Sequence, residues 1–138
     1  MKIRYQFMVF GYGVFVFWLL TKPKIFEGAP PIPYVDTLGH FLLFAGMSGL
    51  IYWGILRSEP RTSGWVLFTA AFLGSTMYGA MLEVVQISIP LRTFEWGDVA
   101  ANSLGALAAT VLADRRMRGR EKKGQLSGGG GDLISGEL

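Results

Sequence analysis

The chain has 138 residues, of which 51% are hydrophobic and only 17% are charged, and its net charge is +3. Typical soluble domains are about 25% charged, so this composition indicates a membrane protein rather than a soluble one. The absence of cysteine excludes disulfides, thiolate chemistry and cysteine-based metal sites. No phosphate loop or nucleic-acid motif is present, and we therefore expect no nucleic-acid partner.

Four apolar segments follow one another along the chain, and we predict that each forms a transmembrane helix. A bilayer core of ~30 Å needs about 20 helical residues. The first three segments meet that length, whereas the fourth is short unless Gly97 and Asp98 begin its helix. The sequence thus predicts an all-α fold, a four-helix transmembrane bundle within residues 1–114. The predicted helices cover residues 3–20, 38–56, 65–89 and 97–113.

The distribution of basic residues predicts the orientation of this bundle. With four spans, both termini and the 57–64 loop lie on one side of the membrane, and that side carries ten of the 13 lysines and arginines. Since these residues concentrate in cytoplasmic segments, we expect both termini to be cytoplasmic in a multi-pass protein of the cell (plasma or inner) membrane. Residues 115–138 are basic and then glycine-rich, with few apolar side chains, and we expect a disordered tail there.

Polar residues are predicted to meet at the outer end of the bundle. A carboxylate such as Glu83 costs ~2.5–3.5 kcal/mol in the centre of a membrane helix, so it is expected to face the protein interior and to have a partner. Arg92, in the loop before the fourth helix, is expected to pair with Glu83 or Asp98. Residues three or four apart share a helix face, which brings further polar side chains to the same place. This outer polar cluster comprises Asp36, His40, Glu83, Gln86, Arg92, Asp98 and Asn102.

The composition of two helices predicts how they pack. The fourth segment is rich in alanine and contains Gly105, and small residues let helix backbones approach closely, so we expect a central packing helix there. The first segment is rich in phenylalanine and is expected to face lipid.

Four short motifs stand in order within residues 35–110, and together they resemble the VanZ-like family. These motifs are Asp36-x3-His40-Phe41, Glu83-x2-Gln86, Pro90-x-Arg92 and Asp98-x3-Asn102-x2-Gly105. Thr37 departs from the pattern, because many relatives carry lysine there. The resemblance implies a small polytopic protein of the cell envelope. The family is named for a protein linked to low-level resistance to the glycopeptide antibiotic teicoplanin, but the resemblance implies neither a settled reaction nor resistance for this chain.

Three functions follow from the outer polar cluster. The favoured one is binding of a membrane lipid, or of a lipid-linked or glycopeptide-type ligand, in an outward-facing pocket where Arg92 attracts an anion and Glu83 and Asp98 balance it. The second is a structural or assembly role, with a membrane-protein partner or a second copy of the chain. The third is a small intramembrane hydrolase or transferase with His40 in acid–base catalysis. Whether the protein is an enzyme stays open, and the residues favour binding over catalysis.

A metal site is the remaining interpretation of the histidine. His40, Glu83 and Asp98 together offer nitrogen and oxygen ligands of the kind that zinc, iron or manganese accepts. Neither H-E-x-x-H nor another metal-binding repeat is present in the sequence. We therefore expect no resident metal and no cofactor.

Overall fold

The computed structural model describes residues 2–22, 35–90 and 92–128. These residues form four α-helices, and no strand occurs within them. The prediction of an all-α fold with four helices is confirmed. The helices are α1 (Lys2–Leu20), α2 (Val35–Ser58), α3 (Gly64–Gln86) and α4 (Trp96–Gly128).

Helix α3 ends earlier than its apolar run predicts. Ser63 caps its first turn, where the side-chain oxygen accepts a hydrogen bond from the Val66 N–H. At the other end, the N–H groups of Ser88 and Ile89 donate to carbonyls three residues back, each over 3.0 Å. Such bonds tighten a final turn, and the residue before a proline disfavours the helical conformation. Pro90 therefore ends the helix at Gln86 rather than at the predicted residue 89.

Helix α4 is longer than its apolar segment and covers 33 residues. Residues 115–128 continue the helix, although they were predicted to begin a disordered tail. Arginine, lysine, glutamate and glutamine are good helix formers, and Asp114 pairs with Arg118 one turn later over 2.8 Å. Apolar composition thus predicts where a membrane span ends but not where a helix ends. The disorder predicted for residues 129–138 lies outside the described residues.

Helix α2 contacts each of the other three helices, while α4 packs against α2 and α3, and α1 packs mainly against α2. Two glycines allow the closest approaches. A Cβ atom at Gly105 would overlap the backbone carbonyl of Phe41, and a Cβ atom at Gly79 would lie within 3.0 Å of the Asn102 side chain. The small residues of α4 therefore bring it against both neighbours, whereas α2 and α3 each contact all three other helices.

The outer surface of the bundle is apolar. Phe10 on α1 is 71% exposed and Met77 on α3 is 70% exposed, and many other large apolar side chains are also exposed. Helices α2 and α3, of 24 and 23 residues, are long and apolar enough to cross a membrane, and α1 contains the shorter apolar stretch Arg4–Leu20. Among the described residues, α4 does not meet the same criterion, since its first turns carry polar and small residues. An apolar surface of this extent is typical of a protein in contact with lipid.

Candidate functional site

The centre of the site is His40, which is 1% exposed and lies in the second turn of α2. Its Nδ1 atom is 3.0 Å from Oδ1 of Asn102 on α4 and 3.7 Å from Oε1 of Glu83 on α3. Its Nε2 atom is 3.5 Å from Oδ2 of Asp98 at the start of α4. One imidazole therefore contacts side chains from two other helices, as the sequence predicts for the outer polar cluster.

The two carboxylates beside His40 are each held by one oxygen. Oδ1 of Asp98 accepts a hydrogen bond from the Thr37 hydroxyl over 3.2 Å. Oε2 of Glu83 accepts one from the Glu95 N–H over 3.4 Å. Asp98 also lies in the first turn of α4, where the positive end of the helix dipole favours a negative charge. These contacts orient both acids toward the imidazole.

The remaining predicted residues lie in different surroundings. Gln86 is buried, and its Nε2 donates to the Leu20 carbonyl over 2.9 Å, which joins α3 to the end of α1. Asp36 is exposed in the first turn of α2 rather than buried with His40. The side chain of Arg92 donates to the Lys22 carbonyl over 3.4 Å.

The predicted pairing of Arg92 with Glu83 or Asp98 does not form among the described residues. Instead, the Thr37 hydroxyl of α2 donates to Asp98, and the Glu95 N–H in the loop before α4 donates to Glu83. The arginine instead ties the loop to the end of α1. The positive partner that the sequence predicts for these acids is therefore replaced by neutral hydrogen-bond donors and by the histidine.

Four buried side-chain atoms around this site have no hydrogen-bond partner among the described residues: His40 Nε2, Glu83 Oε1, Arg92 Nε and Asn102 Nδ2. Buried polar atoms are almost always paired in native proteins, so each exception calls for an explanation. Two of these atoms, Arg92 Nε and Asn102 Nδ2, are donors. Glu83 Oε1 is an acceptor, and the role of His40 Nε2 depends on its tautomer.

The same residues have the composition of a metal site. His40, Glu83 and Asp98 are all buried, and one ligand atom from each lies within 4.8 Å of the other two. The sequence identified these three residues as possible N/O ligands, but their mutual distance depends on the packing of α2, α3 and α4.

Thr37 is a site residue that the sequence did not predict. It appeared only as a departure from the family pattern, yet its hydroxyl holds Asp98. The available signal was its spacing, because Thr37 lies three residues before His40 and shares its helix face.

A second polar group lies deeper in the bundle and was also not predicted. The hydroxyls of Ser48 and Thr110 are 2.6 Å apart, and both contact the Ala106 carbonyl. Ser75 on α3 donates to the Phe44 carbonyl. These bonds join α2 to α4 and α3 to α2, and all three hydroxyls have partners. They therefore hold helices together without leaving an open atom.

Comparisons with known proteins agree with the motif pattern. A family model described as VanZ/LLP1 matches residues 5–116 of the chain. An uncharacterized protein of the fission yeast Schizosaccharomyces pombe is 29% identical over 101 residues, which cover 72% of this chain and 60% of that protein. The chain thus spans about three-fifths of the length of this relative. No solved structure matches significantly.

Proposed function

The chain belongs to the VanZ/LLP1 family, and we propose that it is a multi-pass protein of the plasma membrane that binds the anionic headgroup of a lipid or lipid-linked molecule at the outer polar cluster. The exposed apolar side chains of α1, α2 and α3 support the membrane location. The concentration of basic residues near the two termini and in the 57–64 loop supports a cytoplasmic location for these segments and an outward position for the outer polar cluster.

The observation that carries the proposal is a pair of buried donors, Arg92 Nε and Asn102 Nδ2, that have no partner within the described part of the chain. A buried donor without a partner costs about 1–3 kcal/mol. The hydroxyls of Ser48, Thr110 and Ser75 deeper in the bundle are hydrogen-bonded. Outside the site, Thr76 Oγ1 is the further buried atom without a partner among the described residues. A bound headgroup that offers oxygen atoms would complete both donors.

The chemistry of the donors selects the ligand class. Arginine recognises phosphate oxygens through charge-assisted hydrogen bonds, and an asparagine amide donates well to a phosphate or sugar oxygen. The apolar surface around the helices would accommodate the acyl or isoprenoid part of the same molecule in the bilayer. Together these features favour a phosphate-bearing lipid or lipid-linked sugar over a freely soluble ligand.

Lipid mass spectrometry on the gently purified protein tests the proposal. We expect one phosphate-bearing lipid class to be enriched over bulk membrane with the wild type and lost with Arg92→Gln. Arg61→Gln is the matched control, because Arg61 is exposed in the loop between α2 and α3 and has the same charge. Equal lipid profiles in all three proteins would show that Arg92 does not select a headgroup.

The second candidate is a structural role, and one observation favours it: Gln86 and Arg92 both bond to backbone carbonyls at the end of α1. In that case Arg92→Gln would lower thermal stability without changing the bound lipid. A stoichiometric membrane-protein partner on gentle purification would extend this role to assembly.

A glycopeptide-type ligand is a separate candidate, which the family's link to teicoplanin resistance suggests. Overexpression of the wild-type chain should then raise teicoplanin tolerance, while the Arg92→Gln variant should not. Equal tolerance in both strains would limit the ligand to endogenous lipids.

A further inference from the structure

His40, Glu83 and Asp98 share one pattern of hydrogen bonding. In each residue, a neighbouring group holds one polar atom. Nδ1 of His40 is fixed by Asn102, Oδ1 of Asp98 by Thr37, and Oε2 of Glu83 by the Glu95 N–H. The other atoms are His40 Nε2, Glu83 Oε1 and Asp98 Oδ2. The first two are buried without a hydrogen bond among the described residues, and Asp98 Oδ2 lies 3.5 Å from His40 Nε2.

The tautomer of His40 decides what the leftover atoms can do. The atom that faces Nδ1 is an amide oxygen, which can only accept, so Nδ1 carries the proton. In the neutral imidazole, Nε2 then presents a lone pair, and it faces another acceptor, Asp98 Oδ2, at 3.5 Å. Two lone pairs at this distance repel each other unless a positive group lies between them.

The charge of the site also favours a bound cation. Glu83 and Asp98 bring two carboxylates into one buried site, and like charges in such a place disfavour each other strongly. Arg92, the nearest expected counter-charge, bonds to the Lys22 carbonyl instead. One divalent cation would balance both carboxylates and accept the imidazole lone pair.

We propose that His40, Glu83 and Asp98 bind a divalent transition-metal ion of the zinc, manganese or iron type. Nitrogen and carboxylate ligands suit these ions. Ligands bound at about 2.1 Å in a tetrahedral site lie about 3.4 Å apart, close to the 3.5 Å between His40 Nε2 and Asp98 Oδ2.

The contacts around the three ligands also match those of known metal centres. A metal-binding histidine usually donates its other N–H to an oxygen, and the binding carboxylates are themselves hydrogen-bonded. Asn102, Thr37 and the Glu95 N–H fill these positions. Three protein ligands leave at least one coordination position open, as in catalytic rather than structural zinc sites.

Metal analysis of the full-length protein tests this site. The protein is purified in detergent through a peptide tag without histidine, stripped with a chelator and titrated with Zn²⁺, Mn²⁺ and Co²⁺. We expect one equivalent of metal per chain, a rise in the thermal unfolding temperature on binding, and visible Co²⁺ absorption bands typical of low coordination number. No bound equivalent with any of the three ions would overturn the proposal.

Matched variants locate the ion. Asp98→Asn should weaken binding at least tenfold, whereas Asp114→Asn should not, although it makes the same change in the same helix about 24 Å away. Thr37→Val keeps both carboxylates and should weaken binding about 10–100-fold by releasing Asp98. This variant answers the question even if Asp98→Asn does not fold. Unchanged affinity in the folded variants would assign the metal to an adventitious place.

The experiments distinguish a failure of the metal proposal from a failure of the proposed lipid-binding function, on whose site the metal proposal rests. Arg92→Gln should lose the lipid and keep the metal, because Arg92 contacts none of the three ligands among the described residues. Lipid selection without metal binding would leave the proposed function standing and remove the metal. Metal binding without lipid selection would support the metal site and contradict the proposed lipid binding.

Discussion

The imidazole of His40 and the amide of Asn102 meet 3.0 Å apart between α2 and α4, and each side chain is 1% exposed. This contact fixes the imidazole for every other interaction in the site. We expect a double-mutant cycle of His40→Ala and Asn102→Ala, run in metal-free protein, to give a coupling energy of about 0.6 kcal/mol and at most ~1.7 kcal/mol. Chemical unfolding in detergent measures it.

The control cycle pairs His40→Ala with Thr110→Ala, in the same two helices but without a shared contact. Distant substitutions add within about 0.3–0.5 kcal/mol. An equal coupling in both cycles would mean that the His40–Asn102 contact is not specific.

Gly105 is predicted to tolerate no side chain. A Cβ atom there would overlap the Phe41 carbonyl, and a backbone group cannot move aside as the end of a side chain can. We expect Gly105→Ala to destabilise the protein by about 1–3 kcal/mol, as in other overpacked cores. Thermal unfolding measures the change.

Gly49→Ala is the matched control, because a Cβ atom at Gly49 meets nothing within 4 Å. Alanine is a better helix former than glycine by up to ~1 kcal/mol, so this variant should be neutral or slightly stabilised. A loss of stability at Gly49 equal to that at Gly105 would contradict the close approach of α2 and α4.

The deeper hydroxyl pair is predicted to be purely structural. Ser48→Ala removes the bonds to Thr110 and to the Ala106 carbonyl, and the loss of stability should be about 0.6–1.7 kcal/mol. Lipid selection and metal affinity should both stay at wild-type values. A tenfold loss of either would show that the two polar groups of the bundle act together.

Gln86 is predicted to hold the end of α1. Since the chain has no cysteine, Leu20→Cys introduces a single thiol at a side chain that is 5% exposed. We expect this thiol to react slowly with a maleimide, and at least several-fold faster when Gln86→Leu removes the bond to the Leu20 carbonyl. A thiol at the buried Val16, one turn deeper, should change much less. Equal rates with and without Gln86 would place the anchor of α1 elsewhere.

Thiol labelling with a maleimide also tests the predicted orientation of the bundle in the membrane. Single thiols at Thr62→Cys and Gly119→Cys should be protected from a membrane-impermeant maleimide in intact cells, and one at Thr93→Cys should react. All three positions lie outside the apolar runs that are proposed to span the bilayer. Labelling of Gly119→Cys from outside while Thr62→Cys stays protected would mean an odd number of spans, and labelling of both would mean the opposite orientation.

Local patterns explain how much of the site could be predicted. Asp98 and Asn102 are four residues apart and share a helix face whatever the fold, and so do Glu83 and Gln86. Long-range partners follow no such rule. Arg92 was expected to pair with Glu83 or Asp98 because opposite charges attract. Instead, the short loop before α4 directs the Arg92 side chain to the Lys22 carbonyl. The contact between Thr37 and Asp98 was not predicted, since a threonine in the first turn of a helix usually forms hydrogen bonds within that helix.

The sequence by itself determined that the chain is helical, that its helices are apolar enough to meet lipid, and that Glu83 needs a buried partner. These properties depend on composition and on spacing within one helix, which any packing preserves. Only the tertiary structure decided that His40 lies between Glu83 and Asp98, and that His40 Nε2 and Glu83 Oε1 are buried there without a hydrogen bond among the described residues. That arrangement depends on how closely α2, α3 and α4 approach one another, and Gly79 and Gly105 permit this close approach. The register between the three helices cannot be specified by any single helix.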